Sequence, residues 1–432
     1  METVLLSIGA LTLLLSLGGP LAICFAFSLF VMHYFGDITM KGVLMYGLQQ
    51  ATSPILLSIP MFVFAGQLMA ESGIAKSLLD FVNVFVGRIR GGLGIVTVVT
   101  CAIIGAISGS ALTGVSAIGP LMVPRMIQEN YPRGFASALV SIASVLGMMI
   151  PPSIAMLTYA WLTESSVLAC FISTLIPGLM IAATLCVYNV YYVRNTNLVL
   201  AEKVSFKKKM QTARTHGIHA LPALLMPTII LGGIYGGIMT TTEAAGVAVI
   251  YAIPVGFMVY RGLNKKSFAE SAINSATTVG SIMLMILLCI CLGQMFTMLG
   301  VPQKIASGIL SVSDNKYIIL LLVNILFLIL GMLVSDLVSI LLVVPLILPL
   351  MLQLGIHPVH FGALAITNLS MGAVTPPYAA VFYLGLRMGN TPINEGIKPL
   401  VQMLVFAYLP VLLLTTYFPV FSMWLPNILG LI

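Results

Sequence analysis

Two proline pairs, Pro151-Pro152 and Pro376-Pro377, sit inside apolar stretches, each preceded by a glycine four residues upstream, Gly147 and Gly372. A proline has no N–H and its ring collides with the preceding turn. Carbonyls near Gly147 and Ile150, or near Gly372 and Thr375, therefore lose their helical partners. Such oxygens, together with Ser and Thr hydroxyls, suit a hard monovalent cation such as Na⁺ and avoid a costly buried carboxylate. Ser108, Ser110 and Pro152 join Gly147 and Ile150 as candidates for a first cation site. Ser370, Gly372, Thr375 and Asp336 are candidates for a second. Asp336 lies in an otherwise apolar segment and needs a partner or a cation. Helix ends created by the breaks aim N–H groups and positive dipole ends inward, which suits an anionic solute, although a polar neutral solute feels the same dipoles. Ser110, Thr113, Ser153, Ser335, Asn368 and Tyr378 are the candidate solute contacts.

These residues belong to a membrane protein. Of 432 residues 59% are hydrophobic and 7% charged, against about a quarter charged in soluble domains, and mean hydropathy is +1.11. The apolar runs are continuous rather than alternating, so they are helices and not barrel strands. They extend roughly over 4–34, 43–70, 93–123, 134–163, 166–193, 218–239, 244–260, 270–299, 317–352, 359–386 and 399–425. The start, Met1-Glu2-Thr3, is acidic and no small-residue cleavage site follows, so the first run reads as a retained helix. The net charge of +7 reflects basic loops rather than nucleic-acid binding. The polar stretch 194–217 carries Arg194, Lys203, Lys207, Lys208, Lys209 and Arg214 against Glu202 and is expected to be cytoplasmic.

Counting crossings from that stretch places Arg125, Arg133, Arg261, Lys265 and Lys266 on its side. Arg88 and Arg90 join them only if the segment after residue 92 enters and leaves by one face. Gly105, Ser108, Gly109, Ser110, Gly114, Gly119 and Pro120 crowd its middle and disfavour a straight lipid-facing helix. Non-helical backbone at membrane depth survives only when buried or facing a watery cavity. A re-entrant hairpin over about 93–130 is expected, with a broken helix over about 134–163.

The same series recurs. Gly66-Gln67 matches Gly293-Gln294 at an offset of 227; Gly105 matches Gly331; Pro120 and Pro124 match Pro345 and Pro349; Gly147 with its Pro pair matches Gly372 with its own at 225. A second hairpin over about 317–352 and a second broken helix over about 359–386 follow. The division is a first repeat in 1–193, a loop with connecting helices in 194–269, and a second repeat in 270–432. The second hairpin lacks Lys and Arg near 353–360, so the two are expected to open to opposite faces, with Lys304 and Lys316 on the outer side against the charge rule. Inverted repeats with broken helices at the midplane mark the binding site of a secondary transporter.

Other features read as structural. The six cysteines behave as small buried hydrophobes, Thr240 to Glu243 as a capping box, and Gly232, Gly233, Gly236 and Gly237 as close helix packing. His357 and His360 lack a third ligand, so no metal beyond Na⁺ is expected. Trp161 and Trp424 suit interfacial anchors. An intramembrane enzyme would need a nucleophile with a base, or metal ligands, in one cavity, and the histidines lie mostly at segment ends.

The string Gly105-Ala106-Ile107-Ser108-Gly109-Ser110, the Gly147 to Ser153 segment, Gly233-Ile234-Tyr235-Gly236-Gly237 with Thr242-Glu243-Ala244-Ala245, and Thr375-Pro376-Pro377 together resemble the large membrane subunit of TRAP transporters, the tripartite ATP-independent periplasmic carriers. The likeness covers nearly the whole chain. It implies an all-α, elevator-type inverted-repeat transporter of the bacterial inner membrane. It also implies Na⁺ coupling, a small four-helix membrane partner, and a periplasmic binding protein delivering a small organic anion, a carboxylate or sulfonate. By similarity Ser108, Gly147, Ile150 and Pro152 would hold one Na⁺, and Ser370, Gly372 and Thr375 the other. The sequence departs from the family at Leu112-Thr113-Gly114-Val115 and at Tyr378-Ala379, beside the solute space. An autonomous carrier of the divalent-anion type, needing no partner, is the alternative.

Overall fold

The computed structural model describes residues 2–36, 38–199, 206–313 and 315–432; Glu202 and Lys203 of the polar stretch lie outside them. Every regular element among the described residues is helical, and eight helices are long and apolar enough to cross a membrane.

The first expected hairpin is present. Helix Gly92–Ser108 ends at Gly109, whose φ of 64° is left-handed; Ser110 is extended, and helix Ala111–Gln128 returns. Both mouths lie against one segment. Arg90 Nε donates to the Val193 carbonyl at 3.3 Å, while Asn130 Nδ2 donates to the Asn197 carbonyl at 3.2 Å. The chain thus enters and leaves by the same face, as the positions of Arg88 and Arg90 require. In the second repeat, helix Lys316–Leu333 breaks at Val334 and Ser335 and helix Asp336–Gln353 returns. Tyr417 Oη donates to the Tyr317 carbonyl at 3.4 Å, and His360, just beyond the hairpin exit, lies 2.7 Å from Ser422 Oγ. This hairpin therefore opens beside residues 417–422.

One helix pair relates the two faces. Thr184 Oγ1 donates to the Ala407 carbonyl at 2.8 Å and Tyr188 Oη to Gln402 Oε1 at 3.4 Å. Numbers rise on one partner as they fall on the other, so these segments are antiparallel. The segment after Tyr192 and the segment after Tyr417 must then emerge at opposite ends, and the hairpins open to opposite faces.

Both broken helices are present too. Arg133–Ser144 and Leu146–Met149 stop at Ile150, which is extended, and helix Ile154–Leu162 resumes after Ser153. Pro358–Gly372 unwinds through Ala373 to Ala379 before Ala380–Met388. They run antiparallel: Arg133 Nε donates to the Gly389 carbonyl at 2.9 Å, and Tyr159 Oη to the Pro358 carbonyl at 2.6 Å. That lay brings the two interruptions to one depth.

Several expectations change. The run 4–34 is not one helix but two, Glu2–Ser16 and Leu21–Gly36, folded back so that Ser7 Oγ and Ser28 Oγ lie 2.6 Å apart. Gly18, Gly19 and Pro20 between them end one helix and start the next. The gap before residue 93 holds an amphipathic helix, Ile74–Val86, and its repeat counterpart is Val301–Val312. Helix Phe206–Tyr235 begins inside the polar stretch. The glycines at 232–237 do not pack a second helix. Gly237 has φ 65° and the Ile238 and Met239 amides both return to the Gly233 carbonyl, so they terminate the helix. Thr240 and Glu243 do form a capping box. Cys24, Cys101, Cys170, Cys289 and Cys291 are buried, while Cys186 is partly exposed.

Candidate ion and solute site

The first hairpin tip meets the first helix break through close backbone contact. A Cβ on Gly105 would lie 2.3 Å from the Gly147 Cα, one on Gly147 would lie 3.1 Å from the Ser110 carbonyl oxygen, and one on Gly109 would lie 2.8 Å from the Pro152 carbonyl oxygen. Only glycine permits this approach. Ser108 Oγ reaches the Ser110 carbonyl at a long 3.4 Å. Ser108, Ser110, Gly147 and Pro152 are therefore brought together.

The break leaves four carbonyls to satisfy, and hydroxyls take two. Ser153 Oγ donates to the Met148 carbonyl and Thr174 Oγ1 to the Met149 carbonyl, both at 2.6 Å. For Gly147 the amide four residues on belongs to Pro151, which has no hydrogen. Among the described residues no donor reaches the Gly147 or Ile150 carbonyl. These are the two oxygens singled out in the sequence.

The second tip and break repeat the contact with different bonding. A Cβ on Gly372 would lie 2.5 Å from the Gly331 Cα, and the Tyr378 amide donates to the Met332 carbonyl at 3.0 Å. The Gly372 carbonyl accepts the Thr375 amide at 2.9 Å, which leaves its second lone pair open. Thr375 Oγ1 donates to the Met371 carbonyl and Ser370 Oγ to that of Ile366, both at 2.7 Å. Asp336 begins helix Asp336–Gln353 and faces the cavity described next, which Ala373 and Tyr378 of this break also line.

A cavity of about 790 Å³ lies between the two tips, a volume ordinary for small-molecule sites. Of the expected solute contacts Ser110, Thr113, Ser335 and Tyr378 line it, with Ser108 and Asp336. Ser153 and Asn368 do not. Ser153 caps helix Ile154–Leu162, and Asn368 Nδ2 is held by Asn324 Oδ1 at 2.6 Å in the buried core. The far wall went unread in the sequence: Gln67 from helix Ser58–Glu71, and Ser275, Thr278 and Ser281 from helix Lys265–Met298. The signal was available, since successive hydroxyl residues three apart are neighbours on a helix surface.

With this geometry in view, the comparisons with known proteins decide the family. Residues 8–421 match the family described as tripartite ATP-independent periplasmic transporter, DctM component. The chain belongs to this family. It is 34% identical over 87% of its length, and 87% of the relative's, to the C4-dicarboxylate TRAP transporter large permease protein of Pseudomonas aeruginosa. It is 33% identical, over 86% of each chain, to the sialic acid TRAP transporter large permease protein of Vibrio cholerae. Other relatives are named for isethionate and ectoine. The YdaH transporter of Alcanivorax borkumensis superposes with a TM-score of 0.62 over 92% of this chain and 90% of its own at 17% identity, which supports the fold alone. As a multi-pass TRAP large permease, the chain is a transporter subunit and not an enzyme.

Proposed function

We propose that this subunit imports a small organic acid, a carboxylate or sulfonate, across the bacterial inner membrane, driven by Na⁺ and by elevator movement of the hairpins and broken helices. A small membrane subunit and a periplasmic binding protein complete the carrier, as the family name implies. The relatives are named for C4-dicarboxylates, sialic acid, isethionate and ectoine, so the family suggests the class without choosing the solute.

The observation that carries this reading is the meeting of two inverted hairpin tips and two helix breaks at one cavity. Carbonyls of Gly147 and Ile150, with Ser108, Ser110 and Pro152, form the proposed first Na⁺ site; Ser370, Gly372 and Thr375 form the second. Oxygens released from helices at membrane depth favour a dehydrated cation. The closing or opening of either break would then respond to ion occupancy.

Reconstitution into liposomes tests it. An inward Na⁺ gradient should drive uptake only when the small subunit and binding protein are present, and collapsing the gradient should stop it. Uptake by this chain alone would instead favour the autonomous divalent-anion type of carrier.

A further inference from the structure

The two hairpin tips have opposite electrical character. Helix Ala111–Gln128 starts at the cavity with no side chain capping it, for Ser110 makes no cap hydrogen bond. Its first amides and the positive end of its dipole face the cavity unopposed. Helix Asp336–Gln353 starts at the same cavity, but its first residue is acidic, so the Asp336 carboxylate offsets that helix's positive end. Among the described residues no basic side chain comes within ion-pair distance of Asp336. Its carboxylate is the only formal charge among the residues lining the cavity. Two further groups wait for a partner: Ser275, 4% exposed, and Ser335 each line the cavity with a buried hydroxyl that makes no hydrogen bond.

We infer that the solute is zwitterionic, with its carboxylate or sulfonate at the Ser110–Thr113 helix start and a cationic nitrogen against Asp336 and Tyr378. This rests on the reading of the cavity as the solute site and assigns Asp336 to the solute instead of the second Na⁺. A dianion would bring two negative charges to a cavity that already holds one and offers no Lys, Arg or His. Charges taken from water without compensation are costly. A zwitterion adds no net charge, and its nitrogen supplies the counter-ion Asp336 lacks. The Tyr378 ring beside it offers a cation a further favourable face, and the Ser275 and Ser335 hydroxyls gain hydrogen-bond partners.

The test uses pairs of probes matched in size that differ in one group: taurine against isethionate, and β-alanine against 3-hydroxypropionate, with succinate as the dianion. Binding is measured by thermal shift and calorimetry on the purified complex of this chain with its membrane partner, in Na⁺ and in choline. Each ammonium compound should bind about 30-fold or more tightly than its hydroxyl twin. Asp336→Asn should erase that preference while leaving the Na⁺-induced thermal shift intact, and Asp336→Glu should retain part of it. The inference is overturned if the hydroxyl compounds or succinate bind as well, if no probe binds, or if Asp336→Asn keeps the preference and loses the Na⁺ response. Na⁺-dependent binding of succinate alone would remove the zwitterion and spare the coupling. Preference for the ammonium twin without any need for Na⁺ would do the reverse.

Discussion

The two repeats share a fold yet meet the surrounding helices at different heights. In the first, a Cβ on Gly66 would lie 2.9 Å from the Cα of Ser108, at the hairpin tip. The matching residue in the second repeat, Gly293, faces no tip: a Cβ there comes within 4.0 Å only of the Leu341 carbonyl. The residue equivalent to Ser108 is Val334, seven positions before Leu341. At 1.5 Å per helical residue the offset is roughly 10 Å. Related halves in unequal contact fit one of the two states that the elevator movement proposed above requires, and exchange of the two environments would generate the other. In that second state the Val334 tip would meet Gly293, and Gly66 would face the region of Val115.

The largest expected effect concerns contacts both repeats share. Gly105→Val and Gly372→Val would force side chains into backbone at 2.3 and 2.5 Å, and are expected to lower stability by about 3 kcal/mol or more. Gly293→Ala, with room to spare, should leave the melting temperature in detergent unchanged. Equal tolerance at all three positions would deny the close crossing of tip and break.

Cross-linking addresses the unequal contacts. With Cys289 and Cys291 replaced by alanine, Gly293→Cys paired with Val334→Cys should form a disulfide when copper phenanthroline is added as oxidant during turnover and arrest uptake, with reduction by dithiothreitol restoring it. A pair that never cross-links while transport proceeds would break the exchange argument.

A smaller, graded effect should separate the two ion sites. Ser108→Leu adjoins carbonyls with no other donor, so half-saturation by Na⁺ should rise about tenfold, or about 1.4 kcal/mol. Thr375→Leu should cost less, because the Gly372 carbonyl already accepts an amide. Unchanged Na⁺ stimulation in both variants would remove these residues from the coupling site.

The smallest effect distinguishes the hairpin mouths. At the first, burial pushes the Glu129 carboxyl up from its usual range, with Arg125 pulling it partly back. A raised pKa in the folded state means stability present at low pH and lost as pH rises through that pKa. Glu129→Gln should therefore melt slightly higher than the parent at neutral pH and match it in acid. Water reaches the group, which keeps the difference small.

Much of the architecture was legible because it is written in residues with local consequences. Proline pairs break helices wherever they occur, and glycine-serine strings do the same at a tip, so hairpins, breaks and repeat all appeared in the expected places. Other readings failed where partners decide. The run 4–34 looked like a single helix because both halves are equally apolar. Ile74–Val86 was passed over because its polar face interrupts the apolar run that marks a span. Asn368 looked like a solute ligand from its place near the second break, yet Asn324, forty-four residues away, claims it. Ser153 likewise turned out to hold its own helix start.

By itself, then, the amino-acid order determined the membrane class, the twofold repeat and the carbonyls released at each break, since a missing N–H or Cβ acts within a turn of where it stands. Which released oxygens found hydroxyl donors, which serines face the cavity, and at what height each tip meets its neighbouring helix were decided only by tertiary packing. Those outcomes depend on contacts between residues far apart in the chain, and no local pattern encodes the distance between them.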